Sequence, residues 1–432
     1  MNKRFWVICC LLIFGSGLLA QIAEPGVALP AWKEGYLDLH HINTGRGSAA
    51  FYVFPDGTSM LVDAGEMDIH DGRTFTPRNS QLVPNDSKKP YEWIAAYIKR
   101  FHPAAKPILD YALITHFHDD HFGAWYPEMP VAKKGGYGLT GITGVAELIP
   151  VRTLLDRGYP TYSYPVDKNR WLEQVGKNDT PYRKTMENYF RFVEFGVKNG
   201  MQAATLKAGS SSQIKLQYKA ASYPQFSVRN LKSNGLIWTG LDSSAVDHFP
   251  PSNPDLPFSW PDENSMSLAL LLQYGSFKYY TGGDNPGNLF YGNPVWRDVE
   301  TPMAKVTGRV DVATLDHHGN RDAVNEVQVK TLQPRVWIGQ SWSADHPGHE
   351  VLVRMVSPYL YAGPRDLFAT NILEANRQVI GPLIDRSYKS QQGHILVRVL
   401  PGGDQYYVII LDDQAEAARI KAVFGPYMSL SK

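Results

Sequence analysis

Three histidines and an aspartate within six residues, His116, His118, Asp120 and His121, constrain this chain more than any other feature. The run just before them, 108–115, reads as a buried strand, so the cluster falls on the turn at that strand's carboxyl end. In extended chain, residues two apart share a face, so His116 and His118 can point at one ion. Asp120 and His121 lie on the following turn and can reach a second. Imidazole and carboxylate without thiolate suit Zn(II), with Mn(II) or Fe as alternatives. A polar turn with no metal would have to gather this set by chance.

The pattern around the motif gives the fold class. Apolar runs at 36–42, 50–54 and 60–62 read as strands, the last two joined by Pro55-Asp56-Gly57, a hairpin signal. Ile94, Tyr97, Ile98 and Phe101 have helical spacing over 91–101. Strand pair, helix and buried strand make an α/β (α+β) layered pattern. The pattern resumes after Asn264, with strands expected at 266–274, 277–280, 310–315 and 335–339 and a final pair at 395–400 and 406–411.

Between them, about 126–261, the chain reads as an insertion. It holds a helix that starts at Thr180-Pro181 and ends near Gly200, and an alternating segment, Ile214 to Lys219, expected as a half-exposed strand. Between Phe195 and Leu241 there are six Lys or Arg and no Asp or Glu. Lys215 and Lys219 are therefore expected to contact a phosphate-bearing substrate, or else to form a solvated face. The whole chain has a formal net charge of only +1, which argues against polyanion binding through overall charge.

Residues 1–20 carry Lys3 and Arg4 before a short apolar stretch with glycines, the pattern of a secretory signal peptide. Export to the periplasm or outside the cell is expected, with no stable membrane span after cleavage. Both cysteines, Cys9 and Cys10, lie in that stretch, so the mature domain 21–432 would have no thiolate ligand or nucleophile. Losing Lys3 and Arg4 takes the net charge from +1 to −1.

The motif His116-Phe117-His118-Asp119-Asp120-His121 resembles the signature of the metallo-β-lactamase superfamily. Asp63 after an early strand, Thr281-Gly282-Gly283-Asp284 and Leu315-Asp316-His317-His318-Gly319 extend the likeness. Gly45-Arg46-Gly47-Ser48, Asn264-Ser265-Met266-Ser267 and His346-Pro347 resemble the hydrolase domain of ComEC-type DNA-uptake proteins, with Arg46 and Ser48 departing from its usual residues. The likeness covers roughly 36–121 and 263–411 and leaves the insertion unexplained.

The resemblance implies a four-layer αββα sandwich with an inserted subdomain, and two metals held residue by residue. His116 and His118 would take the first ion. Asp120, His121 and His318 would take the second, with Asp284 bridging and His317 as neighbour of His318 or the ligand itself. Where many members supply a third histidine to the first ion, this chain has Glu263-Asn264, so Glu263 is a candidate ligand. Asp63 would orient a ligand or cap its turn, His346 would donate a proton or hold a phosphate, and Arg321 would pair with a phosphate oxygen.

Two such ions would generate a bridging hydroxide that attacks phosphorus or a carbonyl carbon, with Asp120 in the catalytic set. The expected activity is phosphodiester hydrolysis of a small molecule or a nucleic acid. β-Lactam, lactone or thioester hydrolysis is the alternative, and a non-catalytic binding protein the contrasting class.

Overall fold

The computed structural model describes residues 24–430 apart from 69, 71, 73–75 and 179. The expected signal stretch, 1–20, lies outside the described residues. No described helix is long and apolar enough to cross a membrane.

Two nine-stranded mixed sheets form the frame. The first begins with β1 (Leu37–His41), β2 (Ala49–Val53), β3 (Ser59–Ala64), β4 (Leu109–Leu113), β5 (Val151–Asp156) and β6 (Gln202–Thr205). The second is built from β7 (Phe226–Ser233), β8 (Leu236–Trp238), β9 (Ala245–Asp247), β10 (Ala269–Tyr274), β11 (Phe277–Thr281), β12 (Val312–Thr314), β13 (Val336–Gly339), β14 (Asp366–Ala369) and β15 (Tyr388–Ser390). The chain then returns to the first sheet with β16 (His394–Val399), β17 (Gln405–Leu411) and β18 (Ile420–Met428). Strand order is β18-β17-β16-β1-β2-β3-β4-β5-β6 in one sheet and β15-β14-β13-β12-β11-β10-β7-β8-β9 in the other. β3 to β6 run parallel, as do β11 to β15, and the remaining pairs are antiparallel.

The helices are α1 (Pro90–Phe101), α2 (Asp119–Phe122), α3 (Gly141–Leu148), α4 (Lys168–Asn178), α5 (Thr180–Lys198), α6 (Glu300–Thr307), α7 (Glu326–Leu332), α8 (His349–Val356), α9 (Glu374–Ile380) and α10 (Pro382–Ser387). α1 starts at Pro90, whose missing N–H needs no partner there, and Glu92 accepts the Lys89 N–H at 2.7 Å. Alternation along the strands divides the apolar residues into separate cores. Leu39, Tyr52 and Val62 meet Leu270, Tyr279 and Ile338 between the sheets. Phe51 and Leu61 face the other way, onto Ile94 of α1, Val145 of α3 and Met186 and Tyr189 of α5. Leu271 and Trp337 of the second sheet pack on Met303 of α6, Val329 of α7 and Leu352 of α8.

The stretch 126–261 departs from expectation. Its strands are not set apart: β5 and β6 extend the first sheet and β7 to β9 extend the second. Residues 214–218 form no strand, although Ile214 and Leu216 are buried and Lys215 and Gln217 exposed. Their neighbours' backbone donors go to side chains instead: Gln217 N to Thr58 Oγ1 at 2.7 Å, and Tyr218 and Lys219 N to Asp56 Oδ2 at 2.8 and 2.9 Å. Chain beyond β17, expected to end the fold, adds β18 as an edge strand.

Candidate metal centre

Parallel strands deliver their carboxyl ends to one edge of a sheet, where open α/β folds place ligands. β3 and β4 in one sheet, and β11 and β12 in the other, each end in candidate ligands or their supports. Asp63, at the end of β3, adopts a left-handed φ of 59°, which is costly for a residue with a side chain. Its carboxylate accepts Thr115 N at 2.8 Å, Thr115 Oγ1–H at 2.7 Å and His121 Nδ1–H at 2.8 Å. One buried carboxylate thus pins the end of β4 and aims a histidine.

The glycine-rich turn holds the next part. Ser48 N donates to Asp120 O at 2.8 Å. A Cβ on Gly47 or Gly65 would come within 2.2 or 2.0 Å of that same carbonyl, so only glycine allows the turn to close over α2. Across the cleft, Asp284 follows Gly282-Gly283 after β11, and its N–H donates to Ser267 Oγ at 3.1 Å. His317 and His318, after β12, have φ of 45° and 54°, so two successive residues with side chains take the left-handed conformation.

His116, His121, His317 and His318 are each anchored through one nitrogen. His121 Nδ1 is tied to Asp63, His318 Nδ1 donates to Gln340 O at 2.9 Å, and His317 Nδ1 donates to Asp322 Oδ1 at 2.6 Å. His116 Nδ1 lies 3.2 Å from Thr115 Oγ1. In His116, His121 and His318 this leaves Nε2 facing the cluster, the nitrogen a metal ligand would use, whereas His317 Nε2 already accepts from Asn264.

The remaining donors converge. His121 Nε2 is 3.3 Å from His318 Nε2 and 3.1 Å from Asp284 Oδ1, and His318 Nε2 is 3.0 Å from Asp120 Oδ2. His116 Nε2 is 3.1 Å from His118 Nδ1 and 3.7 Å from Asp284 Oδ2. Ligands about 2.0–2.1 Å from a tetrahedral zinc lie roughly 3.3 Å from one another, so these separations suit an ion at their centre. Two sets result, Asp120, His121, Asp284 and His318, and His116, His118 and Asp284. A buried cluster of this kind can hold a metal ion. Electrostatics agree: against the cost of burial, Asp284 and Asp120 hold His318 up at about 9 and His121 well above the ordinary imidazole value. Buried negative charge here has only imidazoles to balance it.

No known family model matches the chain, and no curated protein matches it in sequence.

Other expected site residues fall differently. His317 Nε2 accepts Asn264 Nδ2–H at 3.1 Å and lies 3.8 Å from Asp284, just outside both sets. Glu263 is no ligand: Arg157 grips both its oxygens at 2.7 Å, and Oε1 also accepts Phe117 N at 2.8 Å. It braces the backbone between His116 and His118 instead. His346 is buried, stacked on His318 at 4.7 Å, with Nδ1 turned toward the N–H groups of Trp342 and Ser343. Burial and the charge of His318 keep it well below the ordinary imidazole value, so it offers a neutral N–H and not an acidic imidazolium. Arg321 is exposed and outside the cleft, although Asn320 beside it lines the wall.

Lys215 and Lys219 lie far from the motif. Lys219 pairs with Glu34 at 2.7 Å, and its backbone is held by Asp56, which precedes β3, whereas Asp63 ends that strand. The intervening strand separates them by roughly 20 Å. Within the cationic stretch Lys198, Lys207, Lys215 and Lys219 are exposed, whereas Lys232 is fully buried, its Nζ donating to Ser265 O and Ser267 O at 2.6 and 3.0 Å.

Sequence reasoning missed Arg157, Asp322, Gln340 and Trp342. Arg157 follows directly on β5, a strand-end position that would have flagged it had 151–156 been read as a strand of the sheet.

Proposed function

We propose that this protein is a metal-dependent hydrolase acting on phosphodiesters, built on a four-layer αββα sandwich of the metallo-β-lactamase type. The observation that carries this reading is the set of anchored histidines, whose remaining nitrogens converge with Asp120 and Asp284, while the ion pairs of those two carboxylates are all with histidines. Two zinc ions, with manganese or iron as substitutes, would sit in the two sets and share Asp284. Bound there, they would make water acidic enough to attack near neutral pH and would neutralise charge building on the ester oxygens.

The chain's own groups prepare that chemistry. Asp63, Gln340 and Asp322 fix the tautomers of His121, His318 and His317. His317 stands beside the sets, 3.8 Å from Asp284, with its Nε2 already accepting Asn264 Nδ2–H at 3.1 Å. Asp120 is buried, yet His121 and His318 hold its carboxyl far below the usual range, so its part is to bind and orient and not to take up a proton. Neutral His346 lines the cleft beside Trp342, whose indole N–H points at His318 Nε2 at 3.4 Å. The resemblance to ComEC-type hydrolase domains favours phosphorus over a β-lactam carbonyl, and the signal-like N-terminus favours an exported enzyme.

The test uses residues 21–432. Metal analysis should find about two ions per chain. Bis-p-nitrophenyl phosphate should be hydrolysed, and His118→Ala and Asp120→Ala should lose both metal and turnover. Turnover of a chromogenic β-lactam alone would move the assignment to that bond. A chain with no metal and no mutation-sensitive turnover would overturn the catalytic reading.

A further inference from the structure

The metal-binding sets form the floor of a cleft of about 1210 Å³. Its walls are aromatic: Trp125, Trp171, Tyr182, Trp260, Phe290 and Trp342 all line it. These rings flank both sets. Tyr182 stands 6.5 Å from the His118 ring with Trp171 5.7 Å behind it, and on the other side Trp342 stands 5.7 Å from His318. An ester seated over Asp284 would therefore have rings beside each of its two substituents.

Charge on the walls points the same way. Outside the candidate metal sets, Asp68, Asp119, Asp262 and Asp345 face the cleft, against the guanidiniums of Arg78 and Arg297, while Glu263 is neutralised by Arg157. Arg78 lies 3.0 Å from Asp345, Arg297 lies 4.0 Å from Asp262 and sits over Trp296 at 4.4 Å and Phe290 at 4.8 Å, and Lys184 sits over Trp125 at 4.2 Å. Typical nucleic-acid binders neutralise about 6–10 phosphates with cations, which this wall does not offer. Of the lysine-rich stretch that suggested a strand-binding surface, Lys232 is buried, Lys198 and Lys219 pair with Glu194 and Glu34, and none of its six cations lines the cleft.

Phe290 adds a third observation. At the rim it is 64% exposed, and it and Tyr291 both adopt left-handed backbone, with φ of 48° and 60°. An exposed aromatic held in costly backbone at a cleft mouth is the kind of strain that persists for binding.

We propose that the cleft selects a small, singly charged diester carrying flat rings, and that a nucleic-acid strand is not its substrate. This rests on the hydrolase reading of the floor. Stacking on the walls supplies the recognition, and the ions at the floor take the one negative charge.

Diphenyl phosphate and dimethyl phosphate carry the same charge and differ in their rings, so calorimetric titration of each into the zinc-loaded chain isolates the wall. Diphenyl phosphate should bind about tenfold or more tightly than dimethyl phosphate, the scale of one stacked ring. Phe290→Ala and Trp125→Ala should each remove much of that difference. Tyr291→Ala should leave it, since Tyr291 is 99% exposed and outside the cleft lining. Equal binding of the two diesters would overturn the inference. So would a single-stranded 20-mer that binds more tightly than diphenyl phosphate with steep salt dependence. Ring preference in a chain that hydrolyses no ester would support the cleft assignment and sink the hydrolase reading, so the two failures stay separate.

Discussion

The two ends of β3 and β4 treat buried carboxylates in opposite ways. Where the strands begin, every carboxylate oxygen has a conventional donor. Asp110 accepts Ser59 N at 2.9 Å, Arg152 at 2.7 Å and Tyr218 OH at 2.9 Å, and Asp56 accepts three backbone N–H groups at 2.8–2.9 Å. At the other end Asp63 still accepts Thr115 N and Oγ1, but among the described residues the ion pairs of Asp120, and of Asp284 across the cleft after β11, are with imidazoles alone, at 3.0–3.8 Å. Burying charge is expensive unless it is paired. The first end is closed within the protein, and the second could hold a cation.

The sharpest way to break that contrast is Asp284→Ala, because Asp284 belongs to both metal-binding sets. Zinc should raise the unfolding temperature of the native chain, as any ligand of the folded state does, and this increment should vanish in the variant. Phosphodiester turnover should fall by more than about 10³-fold, the several kcal/mol that metal stabilisation supplies. Asp110→Ala should do the reverse, with zinc content unchanged and stability lower by about 1–3 kcal/mol from the donors left unmatched. If both variants lost zinc equally, the two ends would not differ in kind.

How much of this was legible depended on distance along the chain. His116, His118, Asp120 and His121 declare themselves because four candidate ligands stand within six residues on one strand end. Asp284 and His318 were legible through glycine-flanked strand ends that match a known pattern. Arg157 was not, since its role is a contact with Glu263 across 106 residues, and a charge next to nothing local carries no signal. The lysine stretch misled for the same reason. Alternation at Ile214 and Leu216 reports burial correctly, but Lys219 finds its partner Glu34 across 185 residues. Periodicity gave the α/β class, while β5 to β9 were hidden because they lie in the stretch read as an insertion.

Glu263 tests whether position or pairing decides a carboxylate's kind. It touches the motif through Phe117 N, yet its pairing is that of the closed end. Arg157→Ala should leave a buried charge with one backbone donor and cost about 3 kcal/mol in urea unfolding. Replacing Glu263 by Gln in the same chain should recover part of this loss, because the stranded charge goes. Zinc affinity should fall more modestly, through the loosened backbone between His116 and His118. Loss of zinc with no loss of stability would make Glu263 a member of the metal site after all.

Glu66 sharpens the comparison with a third solution, a carboxyl that keeps its proton. It is fully buried, its Oε2 accepts Gly141 N at 2.9 Å and Tyr91 N at 3.2 Å, and its Oε1 has no partner. Burial pushes its pKa up to about 7, against an ordinary value of 4.5. Between those two values the folded chain keeps a proton that the unfolded chain has lost, so stability falls as pH rises through that window and stays low above it. Glu66→Gln keeps an oxygen for the two N–H groups and removes the ionisation. Relative to the native chain, the variant should gain about 2–3 kcal/mol between pH 5 and pH 8, measured by urea unfolding with metal absent. A difference between variant and native chain that does not change with pH would mean that Glu66 ionises in the fold and has found a cation. It would then belong with Asp120 and Asp284, and the metal-seeking region would extend beneath the glycine-rich turn.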